Sequence, residues 1–155
     1  MSNGFENLIE DLGRQADLDL QVDEQGALSL RMEDGIVLSL SYSGEDVFAV
    51  FADTSIARST LHASAFAELA DLFLQINFAT SLSSRFSVAL SSEGTVVMMC
   101  TDHVSRISGQ HLFVLIESLL NKCRMLRETI SEFANAPPGP ASGMAAMHEA
   151  MGRFV

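Results

Sequence analysis

Two cysteines and two histidines are the side chains of this sequence best suited to chemistry. Cys100 stands three residues before His103, and His111 and Cys123 follow. A thiol beside an imidazole base is the arrangement of a cysteine nucleophile, and these four residues are also the ligand types of a closed zinc site. Cys100, however, ends an apolar strand pattern, which is typical of a small buried side chain, and the four spacings match no common zinc site. The sequence therefore favours a protein that is not an enzyme and needs no metal or cofactor, with a thiol or metal-dependent enzyme using Cys100 and His103 as the less favoured alternative.

The composition indicates a single domain with more apolar residues than one core requires. The chain has 155 residues, of which 48% are hydrophobic and only 19% charged. This length suffices for one core, and the low share of charge is below the usual quarter. We therefore expect part of the surface to be covered by a partner, as in an oligomer or an adaptor.

Acidity is concentrated in the first third of the chain. The net charge is -11, and residues 1–53 contribute -10 of it, from twelve acids against Arg14 and Arg31. A field of this sign repels nucleic-acid backbones and anionic membranes, and it favours basic or neutral polypeptides. A solvated face that only keeps the protein soluble is the alternative interpretation.

The sequence also predicts where the protein resides. The first residues, MSNGFENLIEDLG, are acidic and amphipathic, which is unlike a secretory signal, and no apolar run reaches membrane-spanning length. Two cysteines do not form a disulfide framework. We expect a cytoplasmic protein that does not insert into membranes.

Apolar periodicity predicts an α+β fold in the order helix, three strands, helix, two strands, helix, with antiparallel strands throughout. Strands are expected over residues 28–32, 36–42, 47–52, 86–90 and 95–101, and helices over 5–12, 61–77 and 112–133. Residues 53–60 and 102–110 are predicted as polar connections. Asn77 is predicted to close the second helix, and Ser108 and Gly109 to cap the third.

Three of these elements have distinctive apolar faces. The second helix leaves only a thin polar line, so a second chain is expected to cover it. The strand over 47–52 is apolar on both faces, so both should be covered. The third helix repeats its apolar residues at spacings of three and four, which favours packing across the sheet over a short coiled coil; the residues are Leu112, Ile116, Leu119, Cys123, Leu126, Ile130 and Phe133.

The chain is predicted to divide at its Pro-rich stretch. Residues 1–135 form the α+β domain, and residues 136–155 form a tail with a Pro/Gly linker and a Met-rich face. This face would dock on a partner, fold back over a groove, or remain disordered. Its residues are Met144, Met147, Met151 and Phe154.

The pattern over residues 5–133 resembles the class I chaperones of bacterial type III secretion. It is carried by the amphipathic first helix with Leu18-Asp19-Leu20 after it, the turn Asp23-Glu24-Gln25-Gly26, the segment 72–78 (LFLQINF), the strand 86–90 (FSVAL) with Gly94, and the long last helix. The resemblance implies a cytoplasmic homodimer that binds the N-terminal segment of one or a few secreted effectors in extended, non-globular form. It also implies the secretion ATPase as a further partner. A regulatory adaptor of the same fold, which sequesters a transcriptional regulator or an anti-activator, is the alternative.

Within this resemblance, apolar faces supply the candidate site residues, each of which also fits an ordinary core. The candidates for the dimer interface are Phe66, Leu69, Phe73, Ile76, Phe86 and Val88. The candidates for effector binding are Phe5, Leu8, Leu12, Leu28, Leu30, Leu38 and Phe48.

Overall fold

Helices and antiparallel strands follow one another in the predicted order. A computed structural model describes residues 3–83, 85–135, 149 and 151–154 of the chain. Its elements are α1 (Asn3–Ala16), β1 (Ala27–Arg31), β2 (Val37–Gly44), β3 (Val47–Ala57), α2 (Ala63–Ser83), β4 (Ser87–Leu90), β5 (Thr95–His103) and α3 (Gly109–Asn135). The α+β class and the antiparallel arrangement are therefore confirmed.

In the described part of the chain the strands form one five-stranded sheet in the order β1-β2-β3-β5-β4. Each neighbouring pair is antiparallel. The β1–β2 and β4–β5 turns place Gly35 and Gly94 at positive φ, 86° and 81°, a conformation that glycine adopts without steric cost. Because β1 and β4 stand at the two ends of the strand order, they are the edges of the sheet.

A single hydrophobic core lies between the sheet and the three helices. Alternate residues of the central strands, such as Leu40, Val50 and Cys100, point into it. The Phe5 ring of α1 stacks on Tyr42 at a centroid distance of 5.3 Å. All seven residues of the predicted α3 seam are buried, so packing of α3 in the domain core is confirmed.

The third strand is longer than the sequence predicted. Residues 53–57 belong to β3, where a polar connection was expected, because their polar side chains find partners on β5. Thr54 is buried and its hydroxyl donates to the Val96 carbonyl at 2.8 Å, while the Asp53 carboxylate accepts from the Thr95 hydroxyl at 2.6 Å. Ser55 has a φ of 60° at the irregularity that ends regular pairing.

The prediction that Asn77 closes the second helix is wrong. Helix α2 continues for six residues past Asn77, to Ser83. The side chain of Asn77 bonds to β4 instead of capping its own helix. The Thr80 hydroxyl, one turn further on, lies 2.8 Å from the Ile76 carbonyl and 2.9 Å from the Phe86 carbonyl.

The predicted cap of α3 is confirmed in part. The Ser108 hydroxyl accepts from the His111 N–H at 3.3 Å, which is the bond of an N-cap residue. Gly109 is the first residue of the helix, and a Cβ atom there would lie 2.5 Å from the Asp11 Cβ of α1. Gly109 is therefore required for close packing of the start of α3 on α1.

The predicted tail is described only at its end. Residues 136–148, 150 and 155, with Met144 and Met147 of the Met-rich face, lie outside the described residues. Phe154 is buried in the same core as the helices, and Met151 packs against that core. The division of the chain into a domain over 1–135 and a tail stays a prediction.

Candidate protein-binding surfaces

Both cysteines are buried thiols. Burial raises the pKa of Cys100 and of Cys123 to about 12, so each thiol remains protonated at neutral pH. The His103 ring faces Asp46, with 3.6 Å between Nδ1 and the carboxylate. Among the described residues, no group of three or more His, Cys, Asp or Glu side chains is arranged to hold a metal ion. This environment gives the thiol and metal alternatives no support.

The residues predicted for the dimer interface lie mainly in the core of the single chain. Five of the six are buried: Leu69, Phe73, Ile76, Phe86 and Val88. Phe66 is half-buried, and the Arg58 guanidinium stands 4.5 Å from the centre of its ring. Each of these five side chains is less than a tenth exposed and offers little surface to a second copy, so they act first as core residues.

The residues predicted for effector binding have the same location. Phe5, Leu8 and Leu12 form the buried face of α1, and Phe48 is fully buried on β3. Leu28 and Leu38 are buried as well, whereas Leu30 keeps part of its surface on β1. The structure therefore joins these residues in one core, and of the set only Leu30 lies at a place that a second polypeptide can reach.

Helix α2 has an exposed apolar stripe on the side opposite its core residues. Leu74 and Phe78 are 68% and 74% exposed, the largest values among the large hydrophobic side chains of the described residues. Ala67 and Asp71 precede them at helical spacing and are also exposed. We call Ala67, Asp71, Leu74 and Phe78 the α2 stripe. Two neighbouring apolar side chains this exposed are typical of a protein contact surface.

One edge of the sheet is closed at its centre. The Asn77 Nδ2 donates to the Val88 carbonyl at 2.9 Å, and the Asn77 Oδ1 accepts from the Val88 N–H at 2.7 Å. One amide side chain thus takes the place of a neighbouring strand at β4. The β4 edge therefore cannot pair with an added strand at this residue.

The other edge strand, β1, pairs with β2 through alternate residues. The Tyr42 N–H donates to the Gly26 carbonyl at 3.0 Å, and the Met32 N–H donates to the Ile36 carbonyl at 2.8 Å. An antiparallel ladder alternates between residues that bond to the partner strand and residues that do not. Because Gly26 and Met32 bond to β2, the intervening odd-numbered residues point their backbone groups away from β2.

Two of these odd-numbered residues offer unpaired backbone groups at the sheet edge. Asp23 occupies both groups of Ala27: its carboxylate accepts from the Ala27 N–H at 2.9 Å, and its own N–H donates to the Ala27 carbonyl at 2.8 Å. Ser29 and Arg31 follow with no strand on that side in the described part of the chain. We call the outward backbone groups of Ser29 and Arg31 the β1 edge. An edge of this kind can pair with an added strand.

Apolar and acidic side chains surround the β1 edge. Val22, Leu30 and Met32 are partly buried and pack against the core. Exposed acids precede and follow the strand: Asp19, Asp23, Glu24, Glu33 and Asp34. The edge thus combines backbone hydrogen-bonding groups, a partly open apolar side and negative charge before the start of the strand.

The turn after β1 is fixed to the last helix. The Arg124 Nε donates to the Asp34 carboxylate at 2.7 Å, and Arg127 donates to the Asp34 backbone carbonyl at 2.7 Å. The hydrogen bond from Arg124 is the main reason that the pKa of Asp34 lies below its usual value. These contacts hold the end of β1 against α3.

The outer face of β3 is less covered than predicted. Phe51 and Met99 face each other across the β3–β5 pair and are half-buried. Both line an open groove of about 380 Å³ on the outer side of the sheet. The inner face of β3 is buried as expected, whereas the outer face keeps apolar surface.

Sequence periodicity missed the residues that face solvent. Leu74 and Phe78 are the exposed apolar side chains of α2 that could contact another protein. The sequence signal that could have identified them is their position outside the apolar spacing of Leu69, Phe73 and Ile76. The β1 edge has no side-chain signal, because its hydrogen-bonding groups belong to the backbone. Only the strand order shows that β1 lies at an edge.

Comparison with known proteins identifies a family. Residues 7–127 match the model of the Tir chaperone protein (CesT) family. No curated protein sequence matches the chain. None of the helices in the described part of the chain combines the length and the apolar content that a membrane span requires.

Solved structures share the fold at low sequence identity. The Yersinia pestis type III secretion chaperone SycH, solved in complex with a stable fragment of YscM2, is 20% identical with a TM-score of 0.62, and the match covers 79% of this chain and 98% of that one. The HopA1-SchA chaperone-effector complex gives 16% identity and a TM-score of 0.67, over 81% of this chain and 94% of that one. The ExsC-ExsE complex gives 14% and 0.66, over 79% and 90%.

Proposed function

The chain belongs to the Tir chaperone protein (CesT) family, and on that premise we propose how it works as a type III secretion effector chaperone. The match over residues 7–127 lies within the 5–133 range of the resemblance that the sequence indicated, and it confirms that resemblance. In this proposal the protein acts in the bacterial cytoplasm. It holds the N-terminal segment of a secreted effector in extended form, which keeps the effector competent for export by the secretion apparatus and its ATPase.

The observation that carries the proposal is the difference between the two sheet edges. Asn77 closes β4 at Val88, whereas Ser29 and Arg31 leave backbone groups open on β1. An extended effector segment that adds to β1 exchanges its hydrogen bonds with water for hydrogen bonds with the sheet, and it remains non-globular while bound. Such binding needs no nucleotide.

The surroundings of the β1 edge define the class of effector segment that fits there. Alternate side chains of an added strand face the partly buried Val22, Leu30 and Met32, so apolar residues at every second position fit there. The exposed acids before β1, Asp19, Asp23 and Glu24, favour basic residues at one end of that segment and speed its association. The expected effector segment is therefore extended, alternately apolar, and basic at the end that lies beside these acids.

The homodimer is proposed on the α2 stripe. Leu74 and Phe78 lie on the exposed side of α2, and a second copy that covers them buries apolar surface on both chains. This position revises the interface predicted from the sequence, since the buried residues on the opposite side of α2 would support the stripe from within. Phe66 remains a candidate at the margin, because it is only half-buried.

Strand addition is tested by removing one outward N–H. Ser29→Pro eliminates an N–H of the β1 edge. It removes no β1–β2 hydrogen bond, because the backbone groups of Ser29 point away from β2. Ser29→Ala is the matched control, since both variants lose the hydroxyl contact with Ser39 at 3.1 Å. The probe is the N-terminal segment of an effector that copurifies with the tagged protein from its native bacterium.

We expect calorimetry to give at least tenfold weaker binding for Ser29→Pro than for Ser29→Ala. Equal affinities for native protein, Ser29→Ala and Ser29→Pro would exclude addition at β1. Copurification of a transcriptional regulator in place of an effector would instead support the regulatory adaptor.

A further inference from the structure

The last described residues of the chain are held on α3. Phe154 is only 2% exposed and belongs to the hydrophobic core, and Met151 packs against that core. The Lys122 Nζ of α3 donates to the Phe154 carbonyl at 3.4 Å. Residues 149 and 151–154, which we call the C-terminal segment, thus place one aromatic side chain in an apolar site.

Charged groups fix the direction of this segment. The Arg153 guanidinium lies 3.5 Å from the Glu132 carboxylate of α3 and 3.3 Å from the Glu149 carboxylate. Lys122 and Glu132 are ten residues apart on one helix, which corresponds to about 15 Å along its axis. The C-terminal segment therefore contacts the second half of α3 at two separate points.

The face of α3 that bears Lys122 is suited to an aromatic residue. Leu126, Thr129 and Phe133 follow Lys122 at spacings of four, three and four, and all three are buried. The Thr129 hydroxyl donates to the Met125 carbonyl of its own helix at 3.0 Å, so it presents no unsatisfied polar group. This face offers apolar contacts with a cation at one end.

The C-terminal segment lies outside the part of the chain that matches the family. The family match ends at residue 127. The SycH and SchA structures are covered over 98% and 94% of their own length, but they cover only 79% and 81% of this chain. Because the segment lies beyond the family match, it can occupy its site on α3 in the manner of a ligand.

We propose that α3 carries a peptide-binding site around Lys122 and Glu132, and that the chain's own C-terminal segment fills it as a displaceable ligand. The class of ligand is a short helical segment in which a basic residue precedes an aromatic one. The site is separate from the β1 edge, because Lys122 and Arg124 differ by about 200° around the helix and Arg124 contacts the turn after β1.

Two features make this ligand displaceable. A single helical turn has little stability of its own, so it persists only while docked. Thirteen residues, 136–148, connect α3 to the segment, and extended they span roughly 43 Å. This reach lets the segment leave the site and return while it stays attached to α3.

The experiment supplies the segment in trans to the full-length protein. Phe154→Ala empties the aromatic position, and the probe is a fluorescent peptide of residues 149–155, Glu-Ala-Met-Gly-Arg-Phe-Val. Its matched control is the same peptide with alanine in place of phenylalanine. We expect the phenylalanine peptide to bind the Phe154→Ala protein at least tenfold more tightly than the native protein, and the alanine peptide to bind neither. Equal binding of the phenylalanine peptide to both proteins, or binding to neither, overturns the proposal.

Arg153→Glu provides a second variant in case Phe154→Ala does not fold. It places a carboxylate opposite Glu132 and leaves Phe154 in the sequence. We expect this variant to bind the phenylalanine peptide more tightly than the native protein, with faster amide exchange over residues 122–133 that the peptide reverses. No gain over the native protein in binding or exchange overturns the proposal.

Discussion

The side chain of Asn77 holds both backbone groups of Val88, with bonds of 2.9 Å and 2.7 Å between helix α2 and strand β4. One amide therefore performs two tasks. It fixes helix α2 against the sheet, and it prevents strand addition at Val88 of the β4 edge. With β4 closed at Val88, the proposed strand addition is confined to the β1 edge.

Asn77→Ala tests the first of these tasks. The variant leaves the N–H and the carbonyl of Val88 without their partners in a half-buried position, which costs about 1–3 kcal/mol of unfolding free energy. Urea unfolding followed by circular dichroism measures the loss. Ser64→Ala, at an exposed position of the same helix, is the control and should change stability by less than about 0.5 kcal/mol. Equal stability of the two variants would show that the Asn77 bonds contribute nothing.

The fold was largely predictable from sequence because periodicity reports which side of an element is buried. The α3 seam shows this: seven residues at helical spacing were expected to pack together, and all seven are buried. Asn77 shows the limit. Asparagine favours a helix end locally, but two bonds to a strand eleven residues away outweigh that preference. Asp53 and Thr54 were likewise predicted as part of a loop, because the sequence does not show their hydrogen-bond partners on β5.

The candidate site was less predictable, and for a physical reason. Apolar periodicity selects the residues that build the core, so it selected Leu69 and Phe48, which are fully buried. The proposed contact surfaces consist of what remains outside the core: Leu74 and Phe78, and the backbone groups of β1. These become visible only when the strand order and the rotation of α2 are known.

Asp34 makes stability depend on acid pH. The hydrogen bond from Arg124 keeps the pKa of Asp34 below its usual value in the folded protein. A lowered pKa contributes stability that is present above the unfolded-state value of about 3.9 and is lost as the pH falls through the folded-state value. We therefore expect Asp34→Asn to be less stable than native protein at pH 7, with a difference that shrinks toward pH 3.

Urea unfolding at several pH values measures this convergence. Glu33→Gln, an exposed position of the same turn, is the control and should give a difference from native protein that varies little with pH. A gap between Asp34→Asn and native protein that stays constant from pH 7 to pH 3 would contradict the role of the Asp34 charge.

The two thiols should be unreactive in the folded protein. Burial raises the pKa of both Cys100 and Cys123 to about 12, so almost no thiolate exists at pH 8. We expect a disulfide reagent such as Ellman's reagent to label neither residue within minutes in buffer, and to label both in urea. Rapid labelling of Cys100 in the native state would contradict this burial and favour the thiol-enzyme alternative.

The α2 stripe predicts which substitutions break the proposed homodimer. Combining Leu74→Glu with Phe78→Glu places two charges on a surface that is already exposed in the single chain, so the protomer should stay folded. We expect light scattering to give about 16.8 kDa for this variant and about twice that mass for native protein.

Leu69→Glu, by contrast, places a charge in the core and should unfold the chain. Val114→Glu is the matched control, because Val114 is an exposed apolar residue of α3, and it should leave the dimer intact. A mass of 16.8 kDa for native protein would exclude the homodimer. If the variant with both glutamates remained a dimer, the interface would lie on another surface.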